Sequence, residues 1–261
     1  MSQRANGEEG WVFFSPFPVG PSLFPTLILV HTSRSRIESG TGCSYVHTLT
    51  LRMPLAKFIA EQLRKPSGWF GKQIMARLLN RFNAPMNTQA LDLLAVQPTD
   101  HVLEVGFGGG ELLGRIAAGA TEGLVVGVDF APEMVERGAK QYRALVEAGR
   151  VAVRCANADA LPYPDGHFTK ICTVNTLYFW DDPARVLAEL HRVLAESGLL
   201  VIGFAPKSAM QDRPFVAYGF TLYEADEVGS LMEKAGFDAV QLVPGQVGSH
   251  AFISAVATKR M

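Results

Sequence analysis

From His101 onward, short runs of β-branched and aliphatic residues alternate with amphipathic stretches, and a cluster of glycines follows the first run. This rhythm restricts the fold more than any other feature. A parallel sheet buried on both faces needs strands that are apolar throughout, each joined to the next by a crossover helix. His101–Val105, Leu124–Asp129, Val151–Cys155, Phe168–Val174 and residues 199–204 read as such strands. Helices are predicted over residues 111–118, from Pro132 to about Ala148, from about Pro183 to Ala195, and over about Ala225–Lys234. Pro132 suits a first helical turn, where no N–H is needed. Residues 239–243 and 251–257 read as an antiparallel closing pair. The expectation is an α/β, Rossmann-like fold, with a seven-stranded mostly parallel sheet, an antiparallel last strand and helices on both faces.

Upstream, residues 69–82 predict a helix with Phe70, Ile74, Met75, Leu78, Leu79 and Phe82 on one face and Lys72, Arg77 and Arg81 on the other. A further helix follows residues 85–87 and carries Leu91 and Leu94. Residues 53–261 are therefore expected to form one domain, a helical lid at 53–97 before a Rossmann-like core at 98–261. Residues 1–52 differ in character. Their apolar stretch at 11–30 is interrupted by Pro16, Pro18, Pro21 and Pro25, too often for a membrane-spanning helix. They lack the basic start and cleavage site of a secretory signal, and resemble a transit peptide only weakly. They are expected to be a poorly ordered N-terminal extension. Met53 opens the regular sequence, so a functional leader and an upstream-extended reading frame both stand as readings.

The chain has 261 residues, 48% hydrophobic and 19% charged, and a formal charge of −1, which gives no global reason to expect a nucleic-acid partner. Cys43, Cys155 and Cys172 form no CxxC pair and stand at no zinc-like spacing from histidine, so neither a metal site nor a disulfide framework is expected. A reducing, cytoplasmic compartment fits, with organellar targeting by residues 1–52 left open.

The string Glu104-Val105-Gly106-Phe107-Gly108-Gly109-Gly110 follows the first strand, and its glycines allow backbone to approach a ligand closely. A nicotinamide-binding turn would read G-x-G-x-x-G, but counting from Gly106 the last position is Glu111, an acid facing the expected pyrophosphate. Asp129 ends the second strand, where a carboxylate can accept from a ribose diol or cap the next helix.

In this order the motifs of residues 100–203 resemble the class I S-adenosylmethionine (SAM)-dependent methyltransferase family, in particular the small-molecule branch often called the type 11 group. The resemblance implies the class I methyltransferase fold and SAM as cofactor. It implies that Glu104 helps position the amino-acid part of SAM, that Gly106, Gly108 and Gly110 offer backbone to it, and that Asp129 holds the ribose. Asp159, in Ala158-Asp159-Ala160-Leu161-Pro162, matches the family's adenine contact, with Phe130 and Ala160 as neighbours. After the fourth strand, Asn175 can contact the amino-acid part and Tyr178 can orient the acceptor, or the aromatic cluster there can simply pack. Many relatives carry a histidine near the Tyr178 position, which this chain lacks.

His101, His167, His191 and His250 each read as structural or solvent-facing, so a dedicated base is not expected. Methyl transfer is an in-line displacement that gains mainly from alignment and exclusion of water. The partner is then a small-molecule acceptor. Phe215, Tyr218, Phe220 and Tyr223 offer aromatic area for an apolar or aromatic acceptor, or pack as an ordinary lid. Between residues 52 and 83, Arg52, Lys57, Arg64, Lys65, Lys72, Arg77 and Arg81 face one acid, Glu61. That segment can be a solvated basic face or a peripheral membrane contact, the latter suiting lipid or quinone methylation. Two other classes stand beside these, a nicotinamide-dependent oxidoreductase and a non-catalytic SAM-binding interaction module. Nothing in the residues speaks to oligomeric state.

Overall fold

The computed structural model describes residues 10–13, 26–32, 49–64, 76–247 and 250–260. The chain divides into two compact units, Met1–Ile59 and Ala60–Met261.

In the first unit, β1 (Gly10–Phe13), β2 (Thr26–Thr32) and β3 (Leu49–Pro54) pair as an antiparallel sheet in chain order. The expectation of a poorly ordered extension assigned no elements here. The Leu27, Ile28, Leu29 and Val30 run has the composition of a strand, and Pro16, Pro18, Pro21 and Pro25 lie outside the described residues. Met53 pairs with Leu27 inside β3, so the expected boundary after residue 52 cuts a strand. Helix α1 (Leu55–Arg64) follows directly.

Of the helix expected over residues 69–82, the part up to 75 lies outside the described residues. From Ala76 a single helix, α2 (Ala76–Leu94), continues through Pro85 where the sequence suggests two. A proline inside a helix removes one hydrogen bond and costs about 3 kcal/mol. Burial of Met86, Ala90 and Leu94, spaced four apart on one face, offsets that cost.

The second unit is built on a seven-stranded sheet in the order β6-β5-β4-β7-β8-β10-β9. Its strands are β4 (His101–Val105), β5 (Leu124–Asp129), β6 (Val151–Cys155), β7 (Phe168–Val174), β8 (Leu194–Phe204), β9 (Phe237–Val247) and β10 (His250–Lys259). β4 is parallel to β5 and β7, β5 to β6 and β7 to β8, while β10 runs antiparallel to both β8 and β9. Alternate strand residues serve opposite faces. Val102, Val125 and Val201 pack with Leu94 of α2 and with Leu112 and Ile116 of α3 (Glu111–Gly119). Leu103, Ile171 and Ile202 pack with Leu187 and Leu190 of one helix (Pro183–Val193) and Val228 and Met232 of another (Ala225–Lys234).

The helix expected from Pro132 to about Ala148 is broken at Tyr142 into α4 (Pro132–Gln141) and α5 (Arg143–Glu147). Chain order reverses between β4 and β7, with β5 and β6 on one side and β7 and β8 on the other. Ligands of open α/β sheets bind at the carboxyl ends of the strands at such a reversal.

Candidate active site

The glycine turn leaves β4 at this reversal. Gly106, Gly108 and Gly110 have φ of 72°, 48° and 79°, left-handed values that favour glycine. A side chain at Gly106 would also overlap the Thr176 methyl, whereas one at Gly108 would meet no heavy atom within 4 Å among the described residues. The turn is thus backed by protein at one glycine and open at the next. Tyr142, at the break between α4 and α5, donates its hydroxyl to the Gly110 carbonyl at 2.6 Å and fixes the far end of the turn.

Asp129, buried at the end of β5, accepts from the Gly108 N–H at 3.0 Å and the Ala131 N–H at 2.9 Å, one on each carboxylate oxygen. The residue at the helix cap is Ala131, so Asp129 serves the glycine turn rather than the cap position. Each oxygen keeps one lone pair, as a diol requires. Burial pushes the Asp129 carboxyl up, against the two N–H groups that hold it down. Beside it, Phe130 is 40% exposed, unusual for a large apolar side chain.

Glu104 is the least comfortable group of the site. It is 4% exposed, and its Oε2 has no hydrogen-bond partner. Burial, and then the neighbouring Glu111 and Asp129 carboxylates, push its pKa up to about 8. A buried carboxyl without a counter-charge is costly, and a cationic ligand group would relieve it. Glu111 is itself held by Asn87 Nδ2 at 2.6 Å and Arg115 at 3.3 Å.

The other expected residues are placed less uniformly. Asp159 and Ala160 lie after β6, and the Asp159 carboxylate faces Arg185 at 3.4 Å. Asn175, after β7, has φ 57° and a backbone N–H bonded to the Gly203 carbonyl at 2.8 Å. Its Nδ2 donates to Asn83 Oδ1 at 2.9 Å. Of the two readings of Tyr178, orienting an acceptor or packing, its surroundings favour the second. It is 3% exposed, and its hydroxyl accepts from the Ala205 N–H and lies 3.0 Å from Asn175 Oδ1, so it braces the Asn175 loop. Burial raises its pKa further. Sequence reasoning passed over Tyr142, Asn83 and Asn87. Only the pair of amides four residues apart on a helix gave a signal, since that spacing puts both on one face.

Among the described residues, no three His, Cys, Asp or Glu side chains cluster to hold a metal ion, and no helix is long and apolar enough to cross a membrane.

A doubly wound sheet, a left-handed glycine turn at its reversal and buried acids near the ends of β4 and β5 define an α/β domain of the doubly wound class. Residues 103–202 match the family model described as "Methyltransferase domain". The chain is 28% identical over 149 residues to an O-methyltransferase of Penicillium expansum, covering 55% of this chain and 54% of that protein. It is 34% identical over 102 residues to a ubiquinone/menaquinone biosynthesis C-methyltransferase of Geotalea uraniireducens, covering 39% and 43%. The chain thus spans about half the length of these curated relatives. A solved SAM-dependent methyltransferase of Aquifex aeolicus superposes with a TM-score of 0.59 at 24% identity, covering 70% of this chain and 96% of that one. Residues 103–202 are thus similar to a methyltransferase domain, and the second unit has the fold of the solved methyltransferase.

Proposed function

We propose that the chain is an enzyme that moves the methyl group of SAM to a small organic acceptor. The observation that carries this reading is the buried, unpartnered Glu104 carboxyl beside a glycine turn that is open at Gly108. Bound SAM supplies an electrophilic methyl carbon on a sulfonium. Glu104 receives its ammonium group, the turn from Gly106 to Gly110 gives it backbone, and Asp129 takes the ribose diol with the lone pairs its two N–H partners leave free. Phe130 and Ala160 flank the adenine, Asp159 contacts it, and Asn175 borders the amino-acid part. Tyr178 acts through Asn175 as a positioning residue.

On the acceptor side, Phe179, Phe215 and Phe220 form a cluster with ring centroids 4.7 and 5.4 Å apart, and Tyr218 is 39% exposed. This area suits an aromatic or apolar acceptor. Quinones fall within that class, and a cytoplasmic protein that touches anionic membrane through basic residues of 52–83 would reach them. Co-sedimentation with anionic vesicles tests that contact, and its absence removes it. Calorimetric titration tests the donor. SAM should bind at one site and NADH should give no heat, and the reverse would overturn the reading.

A further inference from the structure

We propose that Asn83 binds the carboxylate of SAM's methionine end, an assignment that rests on the donor reading above. It follows from the direction of a hydrogen-bond chain. The Tyr178 oxygen accepts the Ala205 N–H, and its one proton goes to Asn175 Oδ1 at 3.0 Å, closer than the Ala205 carbonyl at 3.3 Å. With Oδ1 engaged, Asn175 turns its Nδ2 to Asn83, so Asn83 presents Oδ1 there. Neither amide can flip alone without setting donor against donor or acceptor against acceptor, and flipping both would send the Tyr178 proton to the more distant Ala205 carbonyl. The chain therefore ends on the two N–H groups of Asn83 Nδ2, for which the described residues provide no acceptor.

Those donors stand at the donor site. One turn along α2, Asn87 reaches Glu111 at the start of the helix that follows the glycine turn. The Asn175 loop abuts the same turn from the other side through Thr176 and Gly106. The edge of α2 carrying Asn83 and Asn87 thus links the loop that follows the Glu104 strand with the loop that follows the neighbouring β7. The carboxyl groups around that strand end, Glu104, Glu111 and Asp129, are joined by the cation Arg115, which is engaged by Thr88 at 2.9 Å and Glu111 at 3.3 Å. An amino-acid end carries one positive and one negative group. Glu104 answers the first, and the Asn83 amide supplies neutral donors for the second without neutralising Glu104.

The test compares SAM with decarboxylated SAM, which keeps the ammonium and loses only the carboxylate. Asn83→Asp retains an acceptor for Asn175 but removes the N–H donors and adds a like charge. SAM affinity should fall about tenfold or more, with decarboxylated SAM affected less than about twofold. Asn83→Ala should give the same selectivity with a smaller loss, and serves if the aspartate variant does not fold. Unchanged SAM affinity, or equal weakening of both ligands, overturns the assignment in favour of a structural role. A wild-type chain that binds neither ligand overturns the donor reading itself, and this assignment with it.

Discussion

Glu104 gives the free protein a pH dependence that its SAM complex should lack. Its carboxyl ordinarily titrates at 4.5 and in the fold at about 8. As pH rises, the unfolded chain releases this proton first, while the folded chain holds it until about 8. The group's contribution to stability is therefore fully present below about 4.5 and is lost progressively up to about 8. At about 1.4 kcal/mol per pH unit, that interval corresponds to a ceiling of about 5 kcal/mol, reduced by any water that reaches the carboxyl. Glu104→Gln keeps the shape and removes the titration. Urea unfolding of both proteins at about pH 5 and about pH 8 should show the variant gaining on wild type by several kcal/mol at the higher pH. Asp129, also raised by burial, tilts both proteins in the same direction. SAM binding near neutral pH should release a proton in wild type, read as a binding heat that depends on the buffer's own ionisation heat, and none in the variant. Parallel pH profiles for the two proteins, with equal proton release, would refute the reasoning.

Asp129→Ala removes the acceptor of two backbone N–H groups and the ribose contact. It should weaken SAM about a hundredfold and lower stability by about 1–3 kcal/mol, read by calorimetry and urea unfolding. Phe130→Ala should leave stability within about 0.5 kcal/mol because the ring is exposed, yet weaken SAM about three- to tenfold if the ring stacks on adenine. Gly106→Ala meets both a φ of 72° and the Thr176 methyl, and should cost more than about 1 kcal/mol, whereas the same change at Gly108 meets only the backbone restriction.

The core of the second unit was legible because its parallel strands are buried on both faces. Val102 and Leu103, neighbours on β4, both reach 0% exposure, so the strand reads as an unbroken apolar run. Glu104 and Asp129 were legible for the opposite reason, as acids at the ends of such runs. The N-terminal sheet was not, since the four prolines between residues 16 and 25 outweigh the short apolar runs in any local window and its pairing joins distant segments. Pro85 reads as a helix break, and only the burial of Met86, Ala90 and Leu94 overrides it. Tyr142 and Asn83 were illegible because each acts through a partner far away in sequence, Gly110 and Asn175. The sequence leaves Tyr178 open between orienting an acceptor and packing, because its hydroxyl's partner is Ala205, which no local pattern places beside it.

The central claim is methyl transfer, and incubation with methyl-labelled SAM and a small-molecule extract tests it most directly. The account predicts label in an organic acceptor with an equal amount of S-adenosylhomocysteine formed, both abolished in Asp129→Ala. SAM bound at the site without any S-adenosylhomocysteine above the protein-free rate would contradict it, and would make the chain a binding module instead.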